Sequence, residues 1–188
     1  MLLRQRARGI EPRPADKRQG FEHLEDDWIT MLRWLQANRV EYVLVGPVAD
    51  AIRGNTSAKG TVAIVPAPYV RNLERLSRAL WSAHARRRIE KPAGPGQETL
   101  PVKLSASKLA SGERWTLRCG SYDLDIEGRP AGAPSYQELL YEAVTHEPAP
   151  DAGVDVAAPE DLERYAFARR TGVSPEIRIT RNTHVESG

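Results

Sequence analysis

The run "EYVLVGPVADAIRG" at residues 41–54 constrains this chain more than any other stretch. Tyr42, Val43, Leu44 and Val45 are all apolar or aromatic. Four such residues in succession are too few for a helix and leave no polar face for water, so they read as a central strand covered on both sides. A glycine and a proline follow at once. Pro47 suits the first turn of a helix, where its missing N–H costs nothing, and Gly54 can end that helix. A buried strand running straight into a short helix demands further strands beside it and helices over it. That excludes an all-α bundle and an all-β sandwich.

The rest of the chain supplies those neighbours. In "EHLEDDWITMLRWLQAN", Leu24, Trp28, Met31, Leu32 and Leu35 share one helical face, with Glu22, Glu25, Asp26 and Asp27 near the positive end of the dipole and Asn38 at the close. "TVAIV" reads as a strand stopped by Pro66, and "YVRNLERLSRALWSAH" as a helix with Val70, Leu73, Leu76 and Leu80 at helical spacing. Next come a strand in "PVKL" and a hairpin of "RWTLRC" and "YDLDIE" joined by Gly120-Ser121. A helix capped by Ser135 with Glu138 in the box position, a short strand in "GVDVAA", and a helix opened by Pro159 and closed by Gly172 complete the order. The expectation is an α+β fold, a mixed sheet flanked by helices, over residues 21–173. An irregular basic tail precedes it at 1–20 and a second tail follows at 174–188.

Composition narrows the chemistry. One cysteine among 188 residues, Cys119, allows no internal disulfide and fits a reducing, cytoplasmic setting. The basic start has no apolar stretch of the secretory kind, and no run is long enough to span a membrane. Four histidines lie far apart without ligand spacing, and no serine sits in a Gly-x-Ser-x-Gly elbow. The formal net charge is only +2, but arginines crowd residues 71–88. Arg71, Arg75, Arg78, Arg86, Arg87 and Arg88 together offer a basic surface to RNA or a protein partner, or simply a solvated face. Trp34 and Trp81 lie off the main apolar stripes, as flanking core or as exposed contact residues.

The succession of helix, "YVLVG", short helix, loop, strand ending in proline and "NLERLSRAL" helix resembles the nucleotidyltransferase superfamily with the DNA-polymerase-β-like fold. It is most similar to small prokaryotic members, including those related to toxin–antitoxin and phage-abortive systems. The similarity runs on through "WTLRCGSYDLDIEGRPAG", "SYQELLYEA" and "VDVAAPEDLERYAFARR", covering about residues 22–172.

The resemblance implies a Gly-Gly or Gly-Ser pair that holds a triphosphate, an Asp-x-Asp pair on the next strand and a third carboxylate, the acids binding two Mg²⁺. Alternate strand residues share a face, so such acids can hold hard cations together and support an in-line displacement. This chain departs from the pattern. Gly46 is followed by Pro47, which has no N–H to donate. The Asp-x-Asp positions fall on Thr61 and Ala63, and Ser57 stands where an arginine is often found. Asp125 matches the third carboxylate, with Asp123 and Glu127 on the same strand face. Gly46, Arg53 and Lys59 are the candidate phosphate-binding groups.

Two functions stay open. In one, the chain has lost metal-dependent transfer and binds a nucleoside triphosphate, an RNA or a protein partner. In the other it is an active Mg²⁺-dependent nucleotidyltransferase of toxin–antitoxin-like kind, with Asp123 and Asp125, and Asp50 or Glu127, as substitute ligands. Two of three expected carboxylates are absent, which favours the first.

Overall fold

A computed structural model describes residues 7–11 and 18–171. The fold grows from the expected central strand. Strand β1 (Tyr42–Val45) is buried at all four positions. Helix α2 (Gly46–Ile52) begins directly after it with proline in its first turn. Helix α1 (Asp26–Ala37) precedes them and buries Trp28, Ile29, Met31, Leu32 and Leu35. Its first turn holds Asp26 and Asp27, which suit the dipole. Its end is closed by Asn38, whose Nδ2 donates to the Trp34 carbonyl over 2.9 Å.

The remaining elements, in chain order, are strand β2 (Val62–Pro66), helix α3 (Val70–Ser82), strands β3 (Arg86–Arg88) and β4 (Thr99–Pro101), helix α4 (Ala106–Ala110), strands β5 (Trp115–Cys119) and β6 (Tyr122–Ile126), helix α5 (Tyr136–Glu142), strands β7 (Val144–His146) and β8 (Val154–Val156), and helix α6 (Pro159–Thr171). Together the described strands make one mixed sheet in the order β4-β3-β5-β6-β2-β1-β8-β7. Strands β1 and β2 are antiparallel, β2 and β6 parallel, and β5 and β6 form the expected hairpin. The fold is therefore α+β with a mixed sheet and helices packed on it. Helix α1 packs against β2 and β6, α5 against β1, and α2 against β1, β2 and α6. Among the described residues, no helix is long and apolar enough to cross a membrane.

The differences from the sequence expectation are local. Helix α3 ends at Ser82, and His84 turns the chain with a φ of 50°. The next three residues, all arginine, become β3 and pair with both β4 and β5. Strand β4 lies at Thr99–Pro101, earlier than the expected "PVKL", because it forms opposite β3. Helix α4 and strand β7 add to the expected set. Part of the tail expected at 1–20 is tied down: the Arg8 carbonyl accepts from Trp34 Nε1 at 2.9 Å and Asn38 Nδ2 at 3.1 Å. Trp34 is thus buried, while Trp81 is 69% exposed. The tail expected at 174–188, and Gly172 with it, lies outside the described residues.

Candidate functional site: an arginine-lined cleft

The hairpin β5–β6 decides the chemistry of the cleft. Its alternation puts Asp123 and Asp125 on one face of β6, with Glu127 just beyond the strand. The facing strand has its own alternation, Arg114, Thr116 and Arg118. The antiparallel register sets Arg118 opposite Asp123 and Thr116 opposite Asp125. Strand β3 adds Arg88 from the far side of β5, and α6 adds Arg169.

The result is an alternating chain of four guanidinium groups and three carboxylates. Arg118 Nε lies 2.5 Å from Asp123 Oδ1. Arg88 bridges the two aspartates, with Nη1 3.3 Å from Asp123 Oδ2 and Nη2 on Asp125 Oδ1. Arg114 bridges the next pair, 3.0 Å from Asp125 Oδ2 and 3.3 Å from Glu127 Oε2. Arg169 closes the series 3.0 Å from Glu127 Oε1. All six carboxylate oxygens therefore face a guanidinium nitrogen. Burial pushes the Glu127 carboxyl above its usual range, and Arg169 and Arg114 oppose that shift.

The open side of this chain is a cleft of about 490 Å³, with Arg88, Arg114, Arg118, Arg169 and Asp125 on its wall. Pro47 from the start of α2, Gly60 and Thr61 from the loop before β2, and Ala63 from β2 also line it, as do Glu90 and Glu98. Ala63 is the register partner of Asp125 on the neighbouring parallel strand. Close packing occupies the corner beside it. Gly60 has a φ of +148°, and a Cβ there would meet Pro47 Cγ at 2.7 Å. Trp28 Nε1 holds the Gly60 carbonyl at 2.9 Å. Pro47 thus sits against the loop before β2, and glycine is needed to admit it.

Sequence reasoning brings some of the right residues here and not others. Pro47, Thr61, Ala63, Asp125 and Arg88 meet in the cleft, with Asp123 and Glu127 joined through the arginines. Arg53 does not face it: its Nε donates to the Ala157 carbonyl at 2.7 Å and its Nη2 to that of Val156 at 3.0 Å, tying α2 to β8. Gly46, Asp50 and Lys59 are not on the cleft wall. The arginine row also divides. Arg88 joins the cleft, Arg86 donates to Thr99 Oγ1 at 2.8 Å, Arg87 stacks over Trp115, and Arg71, Arg75 and Arg78 stay on α3. Arg114, Arg118 and Arg169 are the cleft side chains that sequence reasoning misses. The signal for the first two is the basic alternation of "RWTLR" opposite the acidic alternation of "YDLDIE".

The donor set does not fit Mg²⁺. That ion needs near-octahedral oxygen ligands at short range, and here each candidate oxygen is engaged by a cation. The neighbouring strand positions, Thr61 and Ala63, supply no carboxylate. Among the described residues, no group of three His, Cys, Asp or Glu side chains is placed to hold a metal. Cys119 is fully buried, and burial pushes its thiol up to about 12, away from the thiolate form a nucleophile needs. The chain matches no model of a known protein family, and no curated protein is significantly similar to it.

Proposed function

We propose that this protein is a nucleotidyltransferase-like chain that has lost metal-dependent transfer and acts by binding, its cleft holding the phosphates of a nucleotide on guanidinium groups. One observation carries the reading: the acids that would have served a metal are engaged by Arg88, Arg114, Arg118 and Arg169. A guanidinium has five N–H donors in a fixed fork that matches phosphate oxygens. Arg169 and Arg118 are 42% and 44% exposed, line the cleft, and each carries more N–H donors than its ion pair uses. The carboxylates fix the arginines in place before a ligand arrives, which lowers the ordering cost of binding.

Calorimetric titration with the four ribonucleoside triphosphates, in Mg²⁺ and then in EDTA, tests this. The expected result is binding that survives EDTA, weakens with salt and is reduced in Arg118→Ala, without transfer of a labelled nucleotide. Binding that requires Mg²⁺, together with label transfer, would restore the reading of Asp123 and Asp125 as metal ligands. Absence of any binding would remove the nucleotide from the proposal.

A further inference from the structure

The cleft arginines are balanced by acids, but a second group is not. Two concave pockets of about 310 and 640 Å³ adjoin along α3 and share Ala7 and Arg78 in their walls. The smaller is lined by Arg8, Arg39, Arg75 and Arg78, and the larger carries Trp81 and Lys103. Among the described residues, neither has an aspartate or glutamate in its lining. Of the described residues only Arg75 has a carboxylate partner there, Glu41 at 3.1 Å. Among the described residues, the side chains of Arg8, Arg39 and Arg78 make no hydrogen bond or ion pair. In a chain of net charge +2, this concentration of uncompensated cations is a local field.

The aromatic component is as unusual. Trp81 is 69% exposed, whereas Trp28, Trp34 and Trp115 are 5%, 3% and 7% exposed. Arg75, Arg78 and Trp81 recur at intervals of three along α3, on adjoining turns. Lys103 Nζ lies 5.9 Å from the Trp81 ring centroid, a cation beside the aromatic surface. The N-terminal segment that carries Arg8 is held in place by Trp34 and Asn38, so the basic wall is built rather than incidental.

We infer that this face of α3 binds single-stranded nucleic acid, the phosphates tracking Arg8, Arg39, Arg75 and Arg78 and a base stacking on Trp81. A basic groove beside an exposed aromatic platform is the arrangement that suits unpaired bases: the cations follow the backbone, and any base can stack. A duplex hides its base faces and gains nothing from Trp81. The inference goes beyond the cleft and stands whether or not the cleft takes a nucleotide.

The test is fluorescence anisotropy of labelled oligothymidylate and oligouridylate, about ten nucleotides long, with the full-length chain over a range of KCl concentrations. Engagement of about four phosphates gives a slope of log K against log salt near −3. Tryptophan emission is quenched on binding, because the exposed Trp81 is the ring within reach. Trp81→Ala abolishes the quench and weakens binding about fivefold or more. Arg39→Ala with Arg78→Ala makes the slope shallower by about 1.4. All three side chains are exposed, so folding is retained and circular dichroism verifies it. No binding at low salt, equal affinity for duplex DNA, or binding lost in Arg118→Ala but kept in Trp81→Ala would each overturn the inference. A protein that docks on this face while the oligonucleotides stay unbound would overturn it too.

Discussion

Gly128→Ala is expected to lower the stability of the chain by about 3 kcal/mol, read as a fall in the urea midpoint without a change in slope. A Cβ at this position would lie 2.5 Å from the Gly112 carbonyl oxygen, 3.0 Å from Arg114 N and 3.1 Å from the Glu113 carbonyl carbon. All three are backbone atoms, so no side chain can swing aside to make room. The crossing is also fixed from both ends. Arg129 N donates to the Gly112 carbonyl at 2.9 Å, and the buried Tyr165 hydroxyl donates to the Gly128 carbonyl. Any shift of residues 112–114 moves Arg114, which bridges Asp125 and Glu127. Gly94→Ala is the control, since nothing lies within 4 Å of a Cβ there. It should be neutral or slightly stabilising through the unfolded state. An unchanged midpoint in Gly128→Ala would mean that the strand exit and the residue-112 turn do not cross as described.

Arg88→Ala is expected to cost about 2 kcal/mol. It removes the bridge between Asp123 and Asp125, whose side chains are 29% and 11% exposed. Leaving a half-buried carboxylate short of its partner is more costly than losing a surface pair. The figure stays moderate because Arg88 is 24% exposed and Asp125 keeps Arg114. Arg88→Lys should recover only part of the loss, since an ammonium is a point charge and cannot fork onto two carboxylates. Urea unfolding in a double-mutant cycle with Asp125→Asn isolates the pair. A coupling of about 1–3 kcal/mol is expected; strict additivity would contradict the bridging geometry.

How far the sequence reveals this architecture depends on whether local pattern or tertiary pairing decides each element. The apolar run of β1, the Gly120-Ser121 hairpin and the stripe of α1 are legible because burial imposes their periods. So is the capping box at α5, where Ser135 Oγ accepts from Glu138 N and the Glu138 carboxylate accepts from Ser135 N. Strand β3 is not legible. Three arginines carry no apolar alternation, and they extend only because β4 and β5 supply partners. Helix α4 has five residues and β7 three, too short for a period to register.

The same division holds in the cleft. That Asp123, Asp125 and Glu127 share a face follows from a period of two. That Arg88 and Arg169 meet them depends on a strand added across β5 and a helix returning from the far end of the chain. Arg53 illustrates the converse. Its place after a glycine-led helix suits a phosphate ligand, yet backbone carbonyls of Val156 and Ala157 engage it. No local pattern announces which carbonyls the end of a distant strand leaves for a side chain.

The account turns on whether arginine stands where a metal would. Mn²⁺ titration of the wild-type chain by electron paramagnetic resonance, with and without ATP, tests that most directly. The prediction is no bound Mn²⁺ beyond what free ATP takes up, because every oxygen of Asp123, Asp125 and Glu127 faces a guanidinium. Stoichiometric Mn²⁺ on the protein, tightened by ATP, would contradict it and return the cleft to catalysis.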